Sequence, residues 1–189
     1  MDFVELWRIY WPNWTPATIL LGVVLVGAIC FPQLLGLLQG KVKAFPFFAT
    51  VLLWTWLYWV VASCVLCRST YEDYHYELQL FWSYRFMKAY PHSYMLQEIL
   101  MNLVMLLPIG VLFPVAYEYF RLWAVLLFGF LCSAGIELMQ LIFRKGLFEW
   151  DDMLHNTLGV VAGYLLIWMA SAIVRKAQEN RMKKSYKTA

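Results

Sequence analysis

Five stretches of this chain contain no Asp, Glu, Lys or Arg: residues 9–40, 44–67, 99–117, 122–136 and 153–174. A helix that crosses a bilayer needs about 20 mostly apolar residues, within a range of roughly 17–25. Four of the runs reach that range alone. The 122–136 run reaches it, as 122–143, once Glu137 and Gln140 are accepted inside the span. Composition agrees: 62% of residues are hydrophobic and 14% charged, against about 25% charged in ordinary soluble domains. The chain reads as an all-α polytopic membrane helix bundle, one integral membrane domain over residues 1–189. Its five transmembrane helices are expected near 17–38, 46–67, 97–117, 122–143 and 152–174. The first run starts late, follows acidic Asp2 and Glu5, and is too long for the apolar core of a signal peptide.

Lysine and arginine set the expected orientation, because cytoplasmic loops carry them in excess. With the amino terminus outside, the inner segments hold Lys41, Lys43, Arg121, Arg175, Lys176, Arg181, Lys183, Lys184 and Lys187, nine of the fifteen basic residues. The amino terminus is therefore expected outside and the carboxyl terminus in the cytoplasm. Residues 175–189 form a basic cytoplasmic tail, expected to fray near anionic lipid.

Short motifs between the spans say less. Trp7, Trp11 and Trp14 suit an interfacial anchor. Cys64-x-x-Cys67 has redox spacing, but no βαβ pattern surrounds it. His155 has no histidine at metal-ligand spacing, and His75 and His92 are remote in the loop. No metal, cofactor or nucleic-acid partner is expected. Residues 68–96 form the longest polar segment, an amphipathic loop expected on the outer side. Glu118–Arg121 is so short a turn that its flanking helices are expected to form a tight antiparallel hairpin.

The informative polar groups sit inside or beside the spans. Ser133, Glu137, Gln140 and Arg144 share one helix face, and Asp152, Asn156, Gly159 and Gly163 share another, each at steps of 4, 3 and 4. Glu98 and Asn102 share a face one helix earlier. Facing lipid would strand charge in hydrocarbon, so these stripes must face protein. With 1.5 Å rise per residue, Asn102, Glu137 and Asn156 come to nearly one level, roughly 6–10 Å below the outer boundary. Glu98, Gln140, Arg144, Asp151 and Asp152 lie above them. Arg144 is expected to reach Gln140 or an Asp across the turn, leaving Glu137 to meet Asn102, Asn156 or a protonated neighbour. Asp151 or Asp152 is expected to cap the last helix. Such a network either glues three helices together or lines an outward-open polar pocket. Asn, Gln and Ser would suffice for glue; the number of ionisable groups favours the pocket.

Three motifs carry a resemblance. They are Glu98 through Pro108-x-Gly110, then Glu137-x-x-Gln140, then Asp151-Asp152-x-x-x-Asn156-x-x-Gly159-x-x-x-Gly163. With them, residues 68–168 resemble the VanZ-like family of bacterial membrane proteins. One departure is visible: Glu77 and Leu80 stand where the family commonly has Asn and Pro. The resemblance implies a small envelope protein linked to glycopeptide (teicoplanin) susceptibility. It supplies no mechanism. The expected partners are membrane lipids and a cell-wall precursor or lipoglycopeptide. The alternatives are an intramembrane acid/base enzyme acting on a lipid-linked envelope substrate, or a non-catalytic partner subunit. Against the enzyme stands the absence of a Gly-rich phosphate loop and of a nucleophile elbow.

Overall fold

The computed structural model describes residues 11–91 and 93–188. Trp7 of the tryptophan anchor and His92 lie outside the described residues. Five helices are long and apolar enough to cross a membrane. Helix α1 spans Pro16–Leu38 and starts in a capping box between Thr15 and Thr18. Helix α2 spans Ala44–Val61 and runs on into a π-helical turn, Ala62–Leu66. Helices α4 (Met95–Ala116), α5 (Leu122–Phe143) and α6 (Trp150–Thr188) complete the set.

The polar segment between α2 and α4 is more ordered than an amphipathic loop. It holds strand β1, His75–Glu77, and a short amphipathic helix α3, Trp82–Ala89. Strand β1 pairs in parallel with β2, Leu147–Glu149, which lies between α5 and α6. The register sets Tyr76 against Phe148 and Glu77 against Glu149. This two-stranded ribbon ties the loop to the α5–α6 turn.

Hydrocarbon chains are as apolar as leucine, so membrane helices gain cohesion by close packing rather than by leaving lipid. The closest packing here is between α4 and α6. Glycines permit it. A Cβ on Gly159 would collide with the Leu103 carbonyl oxygen, and one on Gly163 with that of Leu107. Around this seam Leu53, Leu106, Ile109, Val125, Ile136 and Val160 form the buried core. The short turn after α4 does not make α4 and α5 the tight hairpin expected: both pack chiefly against α6. The reason is the same small-residue stripe, which α6 presents to α4. Helix α1 is peripheral, packing chiefly on α2, with the Tyr58 hydroxyl donating to the Thr18 carbonyl.

One further expectation is corrected. The basic tail does not fray within the described residues; α6 continues through it to Thr188. Its Lys, Arg, Glu, Gln and Met residues are good helix formers, and no Gly or Pro interrupts them. At 1.5 Å per residue, the part after residue 174 adds roughly 20 Å of helix beyond the expected span.

Candidate functional site

At the end of the bundle where α2, α5 and β2 terminate lies a polar cavity of about 470 Å³. Helices α3 to α6, strand β2 and the π-helical turn after α2 contribute to its lining. Helix α4 supplies Glu98 and Asn102, α5 supplies Glu137 and Gln140, β2 supplies Glu149 and α6 supplies Asp152. The segment leaving α2 adds Cys64, Arg68, Ser69 and Tyr71, α3 adds Trp82, and the α5–α6 turn adds Lys145. Four carboxyl groups thus meet two cationic side chains around one space.

The acids are held by local bonds. Glu137 is buried, and its Oε2 accepts the Glu149 backbone N–H at 3.1 Å. Asn102 Nδ2 donates to Asp152 Oδ1 at 2.6 Å. Gln140 Nε2 donates to the Cys64 carbonyl at 3.3 Å. That carbonyl stands at the π-helical turn, where a widened helix leaves backbone oxygens available. Glu149 lies against Asp152, within side-chain hydrogen-bond reach. Burial, and after it the neighbouring Asp152, Glu137 and Glu98 carboxyls, push the Glu149 acid up from 4.5 to about 9. At neutral pH it is therefore a protonated donor beside other carboxyls.

Three residues expected at the same site do other work. Arg144 ends α5 in the left-handed region, at φ 53°. Its guanidinium donates to the Glu72 carbonyl at 2.7 Å and lies over the Tyr74 ring, so it braces the loop instead of reaching Gln140 or an Asp. Asp151 is fully buried, and its carboxylate accepts the Phe81 N–H at 2.6 Å, the Ser83 N–H at 3.0 Å and the Ser83 hydroxyl at 2.7 Å. It thereby caps the start of α3, not of its own helix. A negative group there satisfies otherwise orphaned N–H donors. Asn156 lies deeper, bonding Ser133 of α5 at 2.9 Å, and does not meet Glu137. The residue before it, His155, has its Nε2 2.9 Å from the Tyr84 hydroxyl, a second tether for α3.

The residues missed by the sequence reading are Glu149, Arg68 and Trp82. Glu149 stands three positions before Asp152, but only its strand pairing with Glu77 turns it inward beside that residue. Arg68 lies within Coulomb range of Glu98, Glu137 and Asp152. Among the described residues no group of three His, Cys, Asp or Glu side chains is arranged to hold a metal ion.

Fold and cavity together define a class: a polytopic membrane protein with a carboxyl-rich cavity at one end of a five-helix bundle. Residues 47–173 match the VanZ/LLP1 family model, and the chain belongs to that family. No curated protein and no solved structure matches the chain. The matched segment begins after α1 and contains every residue that lines the cavity. The family-defining part is thus the part that builds the site.

Proposed function

We propose that this is a non-enzymatic protein of the bacterial cell membrane whose cavity faces outward. It binds a lipid or cell-wall headgroup there, and so influences susceptibility to glycopeptides such as teicoplanin. One observation carries the reading: Glu98, Glu137, Glu149 and Asp152 converge on a single cavity inside an otherwise apolar bundle. Ionisable groups at membrane depth are costly, and where they persist they mark ligand or ion sites. Membership of the VanZ family supplies the link to glycopeptides. Charge supports the orientation. Lys41, Lys43, Arg121, Arg175 and Lys176 belong to the opposite end of the bundle, as the positive-inside rule asks of a cytoplasmic face.

The test is teicoplanin susceptibility and membrane abundance of wild type, Glu137→Gln and Asp152→Asn, in a strain lacking its own copy. Normal abundance with altered susceptibility supports the cavity as the working site. Unchanged susceptibility at full abundance removes it.

The Glu149–Asp152 carboxyl pair favours one second reading, an acid/base enzyme acting on a lipid-linked substrate. Two carboxyls close enough to share a proton can supply both roles of general acid–base catalysis. Turnover of an envelope lipid by purified wild type, absent in Glu149→Gln, would favour it over binding alone.

A further inference from the structure

Next to the polar cavity lies an apolar slot of about 150 Å³ between α2 and α4. Trp56, Trp59 and Val60 form one wall, and Met101 and Val104 the other. Met105 lines both spaces, held by Trp56 Nε1 on its carbonyl at 2.8 Å. Where they adjoin, consecutive residues of the π-helical turn divide between them, Ser63 on the slot and Cys64 on the cavity. Ser63 is 7% exposed, and its buried hydroxyl has no hydrogen-bond partner. A buried hydroxyl normally finds one, so an orphan between a polar and an apolar space marks a place for a ligand atom.

We infer that cavity and slot form one composite site for a membrane phospholipid with a primary-ammonium headgroup. This rests on the cavity being a headgroup site and names the class of headgroup. Charge complementarity selects it. With Glu149 protonated, Glu98, Glu137 and Asp152 still outnumber Arg68 and Lys145 on the lining, which favours a headgroup that carries a cation. The two cations stand at chain positions just past the ends of α2 and α5, whereas Glu137 lies six residues inside α5. A zwitterion fits that order, its phosphate at Arg68 and Lys145 and its ammonium among Glu137, Asp152 and Glu98. The Ser63 hydroxyl is placed to donate to an ester carbonyl, and the first carbons of one acyl chain lie between Trp59 and Val104. A quaternary ammonium has no N–H to donate to these carboxylates, so the site discriminates against it.

The experiment is native mass spectrometry of the full chain released from nanodiscs of equal parts phosphatidylethanolamine, phosphatidylcholine and phosphatidylglycerol. The expected result is enrichment of bound phosphatidylethanolamine by about fivefold, the order that one ammonium–carboxylate pair contributes. Glu137→Gln abolishes the headgroup preference. Val104→Trp, at an exposed position that fills the slot, lowers retention of all three lipids. Phosphatidylglycerol enrichment, or equal retention of all three, overturns the inference. Should Glu137→Gln fail to insert, Val104→Trp and quenching of tryptophan fluorescence by bromine-labelled acyl chains still decide it. Soluble phosphoethanolamine, added to detergent-purified protein, separates the two failures. If it binds while no lipid is enriched, the lipid falls and the ammonium headgroup stands; if neither binds, the whole inference falls, and the cavity reading falls with it only if Glu137→Gln and Asp152→Asn also leave teicoplanin susceptibility unchanged at full abundance.

Discussion

Glu149 is a carboxyl kept where a carboxylate is expensive. It is 8% exposed and faces three other acids, and the combination lifts its ordinary value of 4.5 to about 9. A folded value above the unfolded one means that the group binds its proton more tightly in the native protein. Its contribution is fully present below pH 4.5 and is lost as pH rises through about 9. Wild type is therefore expected to melt at a lower temperature at pH 9 than at pH 5 in detergent. Glu149→Gln, which keeps a neutral side chain throughout, loses part of that dependence. Parallel melting curves for the two proteins across this range would show that Glu149 is ionised in the native state. Asp151 makes the opposite case, a buried acid satisfied by three donors from a segment far away in the chain. Asp151→Ala strands the Phe81 and Ser83 amides and is expected to cost about 3 kcal/mol. Hydrogen exchange checks this directly, with protection of those two amides lost first.

Helix α6 acts as the bundle's organiser at the next scale. Its glycines bring its backbone against α4, and its first turn carries both Asp151 and Asp152. Gly159→Ala is expected to push α4 and α6 apart, at a cost of about 3 kcal/mol or more, because the obstacle is a backbone carbonyl that cannot rotate away. Gly27 and Gly135 sit in helices with open space where a Cβ would stand. Alanine at either is expected to be neutral, or stabilising by up to about 1 kcal/mol. Thermal unfolding and monodispersity of the three variants separate these outcomes. Helix α3 depends on its tethers in a different way. It has eight residues, too few to be stable alone. The Asp151 cap and the Tyr84–His155 contact hold it beside the cavity, with Trp82 on the lining.

The whole molecule was legible in the sequence wherever one helix decides the matter. Charge-free runs of sufficient length specify the five spans, and the 3.6-residue period sets Glu137 with Gln140, and Glu98 with Asn102, on common faces. What escaped depends on pairing between segments distant in the chain. Nothing local in His75–Glu77 or Leu147–Glu149 announces a parallel ribbon of three residues per strand, yet that ribbon turns Glu149 toward Asp152. Arg144 reads as a pocket cation from its helix face alone. Its left-handed backbone turns it instead to the Glu72 carbonyl. The Asp151 carboxylate serves a helix some seventy residues earlier, a relation that no spacing rule within α6 contains.

The central claim is that the carboxyls are kept for a ligand and not as glue between helices. Stability under neutralising substitutions tests it most directly. A buried acid retained for function is a standing cost, and relieving it stabilises a protein while removing its activity. The melting temperatures of purified Glu137→Gln and Asp152→Asn are therefore expected to equal or exceed that of wild type. The rise should be a few degrees at most, since about 1 kcal/mol corresponds to roughly 2–4 °C in a chain of this size. A fall of about 5 °C or more in both variants would contradict the account, because it would show the cluster holding the helices together.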